Sequence, residues 1–217
     1  HKGPGPARNF GAAKASGEVL VFVDADMTFD KNFIRKLIAP IIAGTAIGTF
    51  SKDEFVSNQD NIWSICWNIN RNLPKERMLP KNYPDTAPVF RAIWKKEFDQ
   101  VSGFETTGQY IDDWSLSQKL GIKSESAPGA VYYHANPSSL KEVWHQARWI
   151  GKNNFISGNM LRIFKSLLIY NPASSLVIGL TKSVTNQNIN FLIFKLVYDF
   201  AVFSSLLKSF ASEPMYK

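Results

Sequence analysis

Two carboxylates stand two positions apart at the end of an apolar run, Glu18-Val-Leu-Val-Phe-Val-Asp-Ala-Asp26. A run so short and so rich in valine reads as a buried parallel strand. Alternate side chains share a face, so Asp24 and Asp26 meet at the strand's carboxyl end, where open α/β sheets keep their ligand crevices. Two hard oxygen donors there suit a divalent cation, and that cation suits a phosphate-bearing substrate. A solvated turn is the structural alternative for an isolated Asp-x-Asp. A second acidic pair, Asp112-Asp113, stands where a helix begins and can cap it. His134 closes the aromatic stretch Tyr132-Tyr133, where a lone histidine reads as a hydrogen-bonded structural residue.

The elements around these groups follow from local pattern. Pro6 begins a helix from about Ala7 to Ala15, and Ser16-Gly17 ends it before the strand. Asp30 caps a helix from about Lys31 to Ala43, with Phe33, Ile34, Leu37, Ile38 and Ile41 on one face. Thr45 to Phe50 reads as a strand, Asp60 to Asn72 as a helix, Val89-Phe90-Arg91 as a short strand and Ile93 to Val101 as a short helix. A helix from Asp112 or Asp113 to about Leu120, a strand from Ala130 to His134 and a long helix from about Leu140 complete the α/β part. A helix feeding a parallel strand is half of a βαβ unit, which leads us to expect the domain's first strands upstream of His1.

The chain of 217 residues is long enough for a sizeable core, and its apolar share of 45% is ordinary for a globular protein. A formal charge of +7 and a pI near 9.4 favour anionic partners. The single cysteine, Cys66, excludes an internal disulfide and a cysteine-based zinc site, and between Ile65 and Trp67 it reads as a small buried apolar residue. From Met160 onward Leu, Ile, Phe and Val dominate, and Pro172 divides the apolar stretch into segments near Ala173–Val184 and Ile189–Phe210. The last could span a bilayer by length, but Lys195 and Asp199 sit near its middle, at roughly 2.5–3.5 kcal/mol each on insertion scales. A helix lying on a membrane or packed on the domain is the better expectation. Residues 1–158 are thus expected to form the core and 159–217 a helical appendage.

Pro6-Ala-Arg-Asn-Phe-Gly11, Ala15-Ser-Gly-Glu18 and the strand ending in Asp24-Ala-Asp26 together resemble the centre of family 2 inverting glycosyltransferases of the GT-A fold. Gly103-Phe104-Glu105 resembles that family's acceptor-side turn, with Ser102 in place of its first glycine, and Asp112-Asp-Trp-Ser-Leu116 resembles its base motif. The resemblance covers about residues 3 to 150. It implies a Rossmann-like GT-A core, incomplete at its N-terminus, that transfers a sugar with inversion from a UDP- or GDP-linked donor to a hydroxyl of a glycan or lipid-linked acceptor. It further implies Mn²⁺ or Mg²⁺ on Asp26 and Asp24 with His134 completing the site, a nucleotide crevice lined by Arg8 and Asn9, and Asp113 as base with Asp112 beside it. Gly103, Phe104, Glu105 and Trp114 fall on the acceptor side. His145-Gln-Ala-Arg-Trp149 resembles the Gln-x-x-Arg-Trp motif of processive members, with His145 where that motif has Gln, so Arg148 and Trp149 are expected at diphosphate and acceptor while processivity is in doubt. The expected setting is cytoplasmic and peripheral at the inner face of the plasma membrane, in building cell-envelope polysaccharide.

Two rivals stand beside this. Asp24-Ala-Asp-Met-Thr28 after an apolar strand is also similar to the first motif of haloacid-dehalogenase-like phosphatases, with Asp24 as nucleophile and Asp26 as acid/base. A non-enzymatic basic membrane-surface module is the other. No dense Lys/Arg stripe or RNA-binding motif occurs, so no nucleic-acid partner is expected.

Overall fold

The computed structural model describes residues 3–106, 112–157 and 160–211. In chain order these form α1 (Pro4–Lys14), β1 (Val19–Val21), β2 (Met27–Phe29), α2 (Phe33–Ile42), β3 (Gly48–Phe50), β4 (Glu54–Val56), α3 (Ile62–Arg71), β5 (Thr86–Ala87), β6 (Ala92–Trp94), α4 (Lys95–Gln100), α5 (Asp112–Leu120), β7 (Ser124–Ser126), β8 (Tyr132–His134), α6 (Leu140–Ser157), α7 (Met160–Ile169), α8 (Pro172–Thr185) and α9 (Asn190–Ala211). Their contacts divide the chain into two compact units, residues 3–55 with 79–134 and residues 56–78 with 135–211. The boundary expected at 158/159 falls beside residues outside those described.

The first unit is a mixed α/β layer structure. Its larger sheet has the order β1-β6-β3-β7-β5. The expectation of a parallel first strand is corrected here. β1 runs antiparallel to β6, with Val19 opposite Trp94 and Val21 opposite Ala92, whereas β3 runs parallel to β7. Burial on both faces, the physical content of the apolar run, does hold. Leu20 and Ile93 pack on one side with Ala12, Phe22, Phe98, Phe104 and Leu116. Val19, Val21 and Ala92 pack on the other with Phe33, Leu37 and Ile41 of α2. Successive residues of a strand point to opposite faces, so three-residue strands suffice to join two helical layers.

Ala92-Ile93-Trp94 is a strand, not the start of the helix expected from Ile93, and the helix begins at Lys95. Within α2 the inward face narrows to Phe33, Leu37 and Ile41, while Ile34 is half exposed. A second, three-stranded sheet of order β2-β8-β4 has no counterpart among the expected elements except β8.

The second unit is helical. Asn61 caps α3 by accepting from the backbone N–H groups of Trp63 and Ser64, and Asn72 closes it in the left-handed region. Ser139 caps α6 through the N–H of Glu142. Cys66 is fully buried among Trp67, Val143, Phe191 and Phe194, and burial pushes its thiol up to about 11, as suits an inert apolar residue. Asn171 caps α8 directly before Pro172, which explains the break between α7 and α8. α9 is long and apolar enough to cross a membrane by length and composition, and half of that span is buried.

Candidate active site

β1 feeds the site. Beyond Val21 the N–H of Phe22 still donates to the carbonyl of Arg91, at 2.8 Å, so the chain stays extended to the first aspartate. Asp24 then takes a guanidinium on each oxygen. Arg8 of α1 donates to Oδ1 and Arg91 to Oδ2, both at 3.1 Å. Burial alone pushes the Asp24 carboxyl up, but Arg91 and Arg8 outweigh it and hold the group below the usual carboxylate range. The other arm of Arg8 donates to Asp113 in the first turn of α5. One guanidinium thus joins the carboxylate at the end of β1 to the one that opens α5.

The small sheet builds the opposite side. β2 and β8 pair antiparallel with Met27 opposite His134, which sets the imidazole beside the residue preceding Met27. His134 Nε2 lies 3.0 Å from Asp26 Oδ2, and its Nδ1 lies 3.6 Å from Glu54 of β4. Glu54 first and Asp26 next raise the imidazole to about 8, against the effect of burial. Asp26 keeps 69% of its side chain exposed, against 38% for Asp24.

The donor set fits a divalent cation through Asp26, whose open carboxylate suits a hard ion that also takes phosphate oxygens, with His134 Nε2 as the second donor. Asp24 does not fit as a ligand in this arrangement, because both of its oxygens are held by arginines. Among the described residues no group of three or more His, Cys, Asp or Glu side chains is arranged to hold a metal ion.

The turn after α4 is fixed by Asn9. Its amide donates to the carbonyl of Phe104 and accepts from the same residue's N–H, both at 2.9 Å. Gly103 has φ +69°, and a Cβ there would lie 2.5 Å from Asn9 Oδ1 and 2.7 Å from the Phe98 ring, so only glycine fits. Asn9, expected in the nucleotide crevice, therefore spends its amide on the turn. The Phe104 ring, expected on the acceptor side, is 2% exposed and packs edge-on against Phe22. Trp114, next to Asp113, is 52% exposed. The N–H of Glu105 donates to Ser115 Oγ, and Glu105 Oε1 accepts from the N–H of Thr106. The Asp112 side chain lies outside the described residues. Arg148 and Trp149 lie on α6 in the helical unit, where Ser205 Oγ donates to the carbonyl of Arg148.

Arg91, Glu54 and Tyr132 were not singled out by local pattern. Arg91 is packed over the Tyr132 ring, with its guanidinium carbon 5.8 Å from the ring centroid. A basic residue inside the apolar Val89-Phe90-Arg91-Ala92-Ile93 stretch was the available signal.

A mixed α/β sheet between helices, with carboxylates past the end of one strand, is consistent with a GT-A glycosyltransferase domain. The family model described as glycosyl transferase family 2 matches residues 1–102, which makes the protein a glycosyltransferase. The matched stretch contains Arg8, Asn9, Asp24, Asp26 and Arg91 and ends beside Gly103. No curated protein matches the chain. The phosphatase reading loses its support, since Asp24, its nucleophile, is held by two arginines.

Proposed function

We propose that the protein transfers a sugar, with inversion, from a UDP- or GDP-linked donor to a hydroxyl of a glycan or lipid-linked acceptor, using Mn²⁺ or Mg²⁺. The observation that carries this is Arg8 reaching Asp24 with one arm and Asp113 with the other, which ties a donor-side carboxylate to the candidate base. Asp26, with His134, would hold the cation, which supplies charge stabilisation to the departing diphosphate. Asp113 takes the proton of the acceptor hydroxyl. The hydroxyl oxygen bonds to the anomeric carbon, and the bond from that carbon to the diphosphate breaks with its electron pair on the leaving group. Attack opposite the leaving group inverts the carbon. Arg8 and Arg91 provide positive charge at the site, and Arg8 also orients Asp113. Asp112 stands beside the base, Trp114 offers an exposed ring for sugar stacking, and Gly103 with Glu105 shapes the acceptor side. Residues 1–158 form the transferase core, and 159–217 an appendage that holds the protein peripherally at the cytoplasmic face of the plasma membrane, where cell-envelope polysaccharide is built.

Titration of UDP, GDP and their sugar conjugates, with and without Mn²⁺, tests the donor site. Manganese-dependent binding that Asp26→Asn abolishes is expected. Binding that ignores both the cation and the substitution would overturn the assignment. Product NMR should give the opposite anomeric configuration to the donor; retention would overturn the inverting step.

A further inference from the structure

In the hairpin of α8 and α9, α8 carries its polarity the wrong way round for water, and α9 adds an apolar outer face to a buried charged pair. On α8 the buried positions are Ser175, Gly179 and Ser183, while Val177, Leu180 and Val184 are 64%, 47% and 76% exposed. On α9 Lys195 and Asp199 are buried on a face shared with Phe191, Phe194, Tyr198, Val202 and Leu206, while Ile193, Leu196 and Phe200 are 48%, 39% and 56% exposed. Three of the inward polar groups satisfy one another. Lys195 Nζ donates to Asp199 Oδ1 at 2.9 Å, and Ser175 Oγ donates to Asp199 Oδ2 at 2.7 Å. Gly179 permits the close approach, since a Cβ there would lie 2.8 Å from Leu192 of α9. Small and polar residues between helices with large apolar residues outside is the arrangement of helices in lipid. A soluble helix shows the reverse.

Charge points the same way. Asp199 is the sole acidic residue between positions 160 and 211, against Arg162, Lys165, Lys182, Lys195 and Lys208. Lys165 and Lys208 are exposed, and Lys195 and Asp199 are paired inside. Two features favour lying on the surface over spanning: α8 has 14 residues, short of the roughly 20 that cross a hydrocarbon core and bent by 56° from α7, and half of the apolar window of α9 is buried in the protein.

We propose that the outward faces of α8 and α9 lie in the plane of an anionic bilayer surface, with apolar side chains at the headgroup–acyl boundary and the Lys195–Asp199 pair facing the protein. This deepens, and rests on, the reading of 159–217 as a membrane appendage. It differs from a loose electrostatic contact in committing to a face and a depth.

The test uses the full chain with vesicles of phosphatidylcholine alone and with added phosphatidylglycerol. Wild type should sediment with the anionic vesicles, and Lys165→Glu/Lys208→Glu should weaken this by about fivefold or more per lysine at low salt. Ile193→Glu/Phe200→Glu should weaken it by roughly tenfold or more while circular dichroism stays unchanged. Leu180→Cys and Phe200→Cys, each labelled with a fluorophore, should be quenched by lipids brominated high in the acyl chain. This second measurement stands even if the glutamate variant misfolds. If wild type fails to bind, the appendage reading falls with the proposal. If wild type binds but neither label is quenched, the face assignment alone is overturned. Equal binding to neutral vesicles overturns the anionic preference. A dimer in solution that Ile193→Glu/Phe200→Glu dissociates, with no vesicle binding, gives the face to a second copy instead.

Discussion

The guanidinium of Arg8 donates to the carboxylate of Asp113, a residue 105 positions further along the chain. Through its other arm the same group holds Asp24. Arg8→Lys replaces a planar two-armed donor with a point charge that cannot bridge both carboxylates in one geometry. Turnover should fall by about 10²–10³-fold, the usual effect of removing one preorganised donor. Because Arg8 and Asp113 act as a unit, Arg8→Lys combined with Asp113→Asn should cost little more than Asp113→Asn alone. Steady-state kinetics of the two single variants and the pair check this; additive losses would show that the two residues act separately.

His134 makes stability depend on pH in a known direction. Its folded pKa is raised from 6.5 to about 8, by Glu54 foremost and then Asp26. A raised pKa in the folded state means that the contribution is fully present below about pH 6.5 and is lost as pH climbs through 8. Allowing for the exposure of Asp26, it amounts to about 1 kcal/mol. Urea melts of the metal-free protein between pH 6 and 9 should show this decline, and His134→Gln should flatten it. A cation needs the neutral imidazole, so Mn²⁺ affinity should rise over the same interval.

Gly103→Ala should destabilise the protein by about 2–4 kcal/mol, because a methyl group at φ +69° meets both Asn9 and Phe98. Asn9→Ala, which leaves the Phe104 backbone N–H and C=O without their side-chain partner, should cost about 1–3 kcal/mol. Chemical denaturation of both variants measures these. An Asn9→Ala protein of wild-type stability with weakened nucleotide binding would return Asn9 to the donor crevice.

What could be read before the structure was whatever is local. Asp24 and Asp26 after an apolar run, Gly103 after a short helix and Asp112-Asp113 before a helical pattern are each marked by neighbours within a few positions. Arg91, Glu54 and Tyr132 are not, because strands of two or three residues show no period and acquire meaning only from partners more than 30 positions away. The antiparallel direction of β1 was illegible for the same reason: an apolar run reports burial on two faces, and parallel and antiparallel neighbours satisfy that equally. Ile93 was drawn into the following helix because Lys95-Lys-Glu-Phe98 is helical in pattern and nothing local separates it from Trp94. Lys195 and Asp199, by contrast, announced themselves four apart in an apolar helix, and the structure pairs them.

That pair offers the last expectation. Its side chains are 6% and 1% exposed, and Lys195 also donates to Asn70 at 3.2 Å. Asp199→Ala would leave a buried ammonium with only amide and ring partners, while the Ser175 hydroxyl keeps the Asn171 carbonyl as acceptor, a loss of about 3–5 kcal/mol. Lys195→Met combined with Asp199→Leu removes both charges and keeps most of the volume, so it should recover most of that loss. The attraction within such a pair repays desolvation only in part, and apolar replacements escape the desolvation cost altogether. Urea denaturation of the single and double variants decides between the two outcomes. A double variant as unstable as Asp199→Ala would mean that the hydrogen bonds to Ser175 and Asn70, rather than charge balance, hold the hairpin in register.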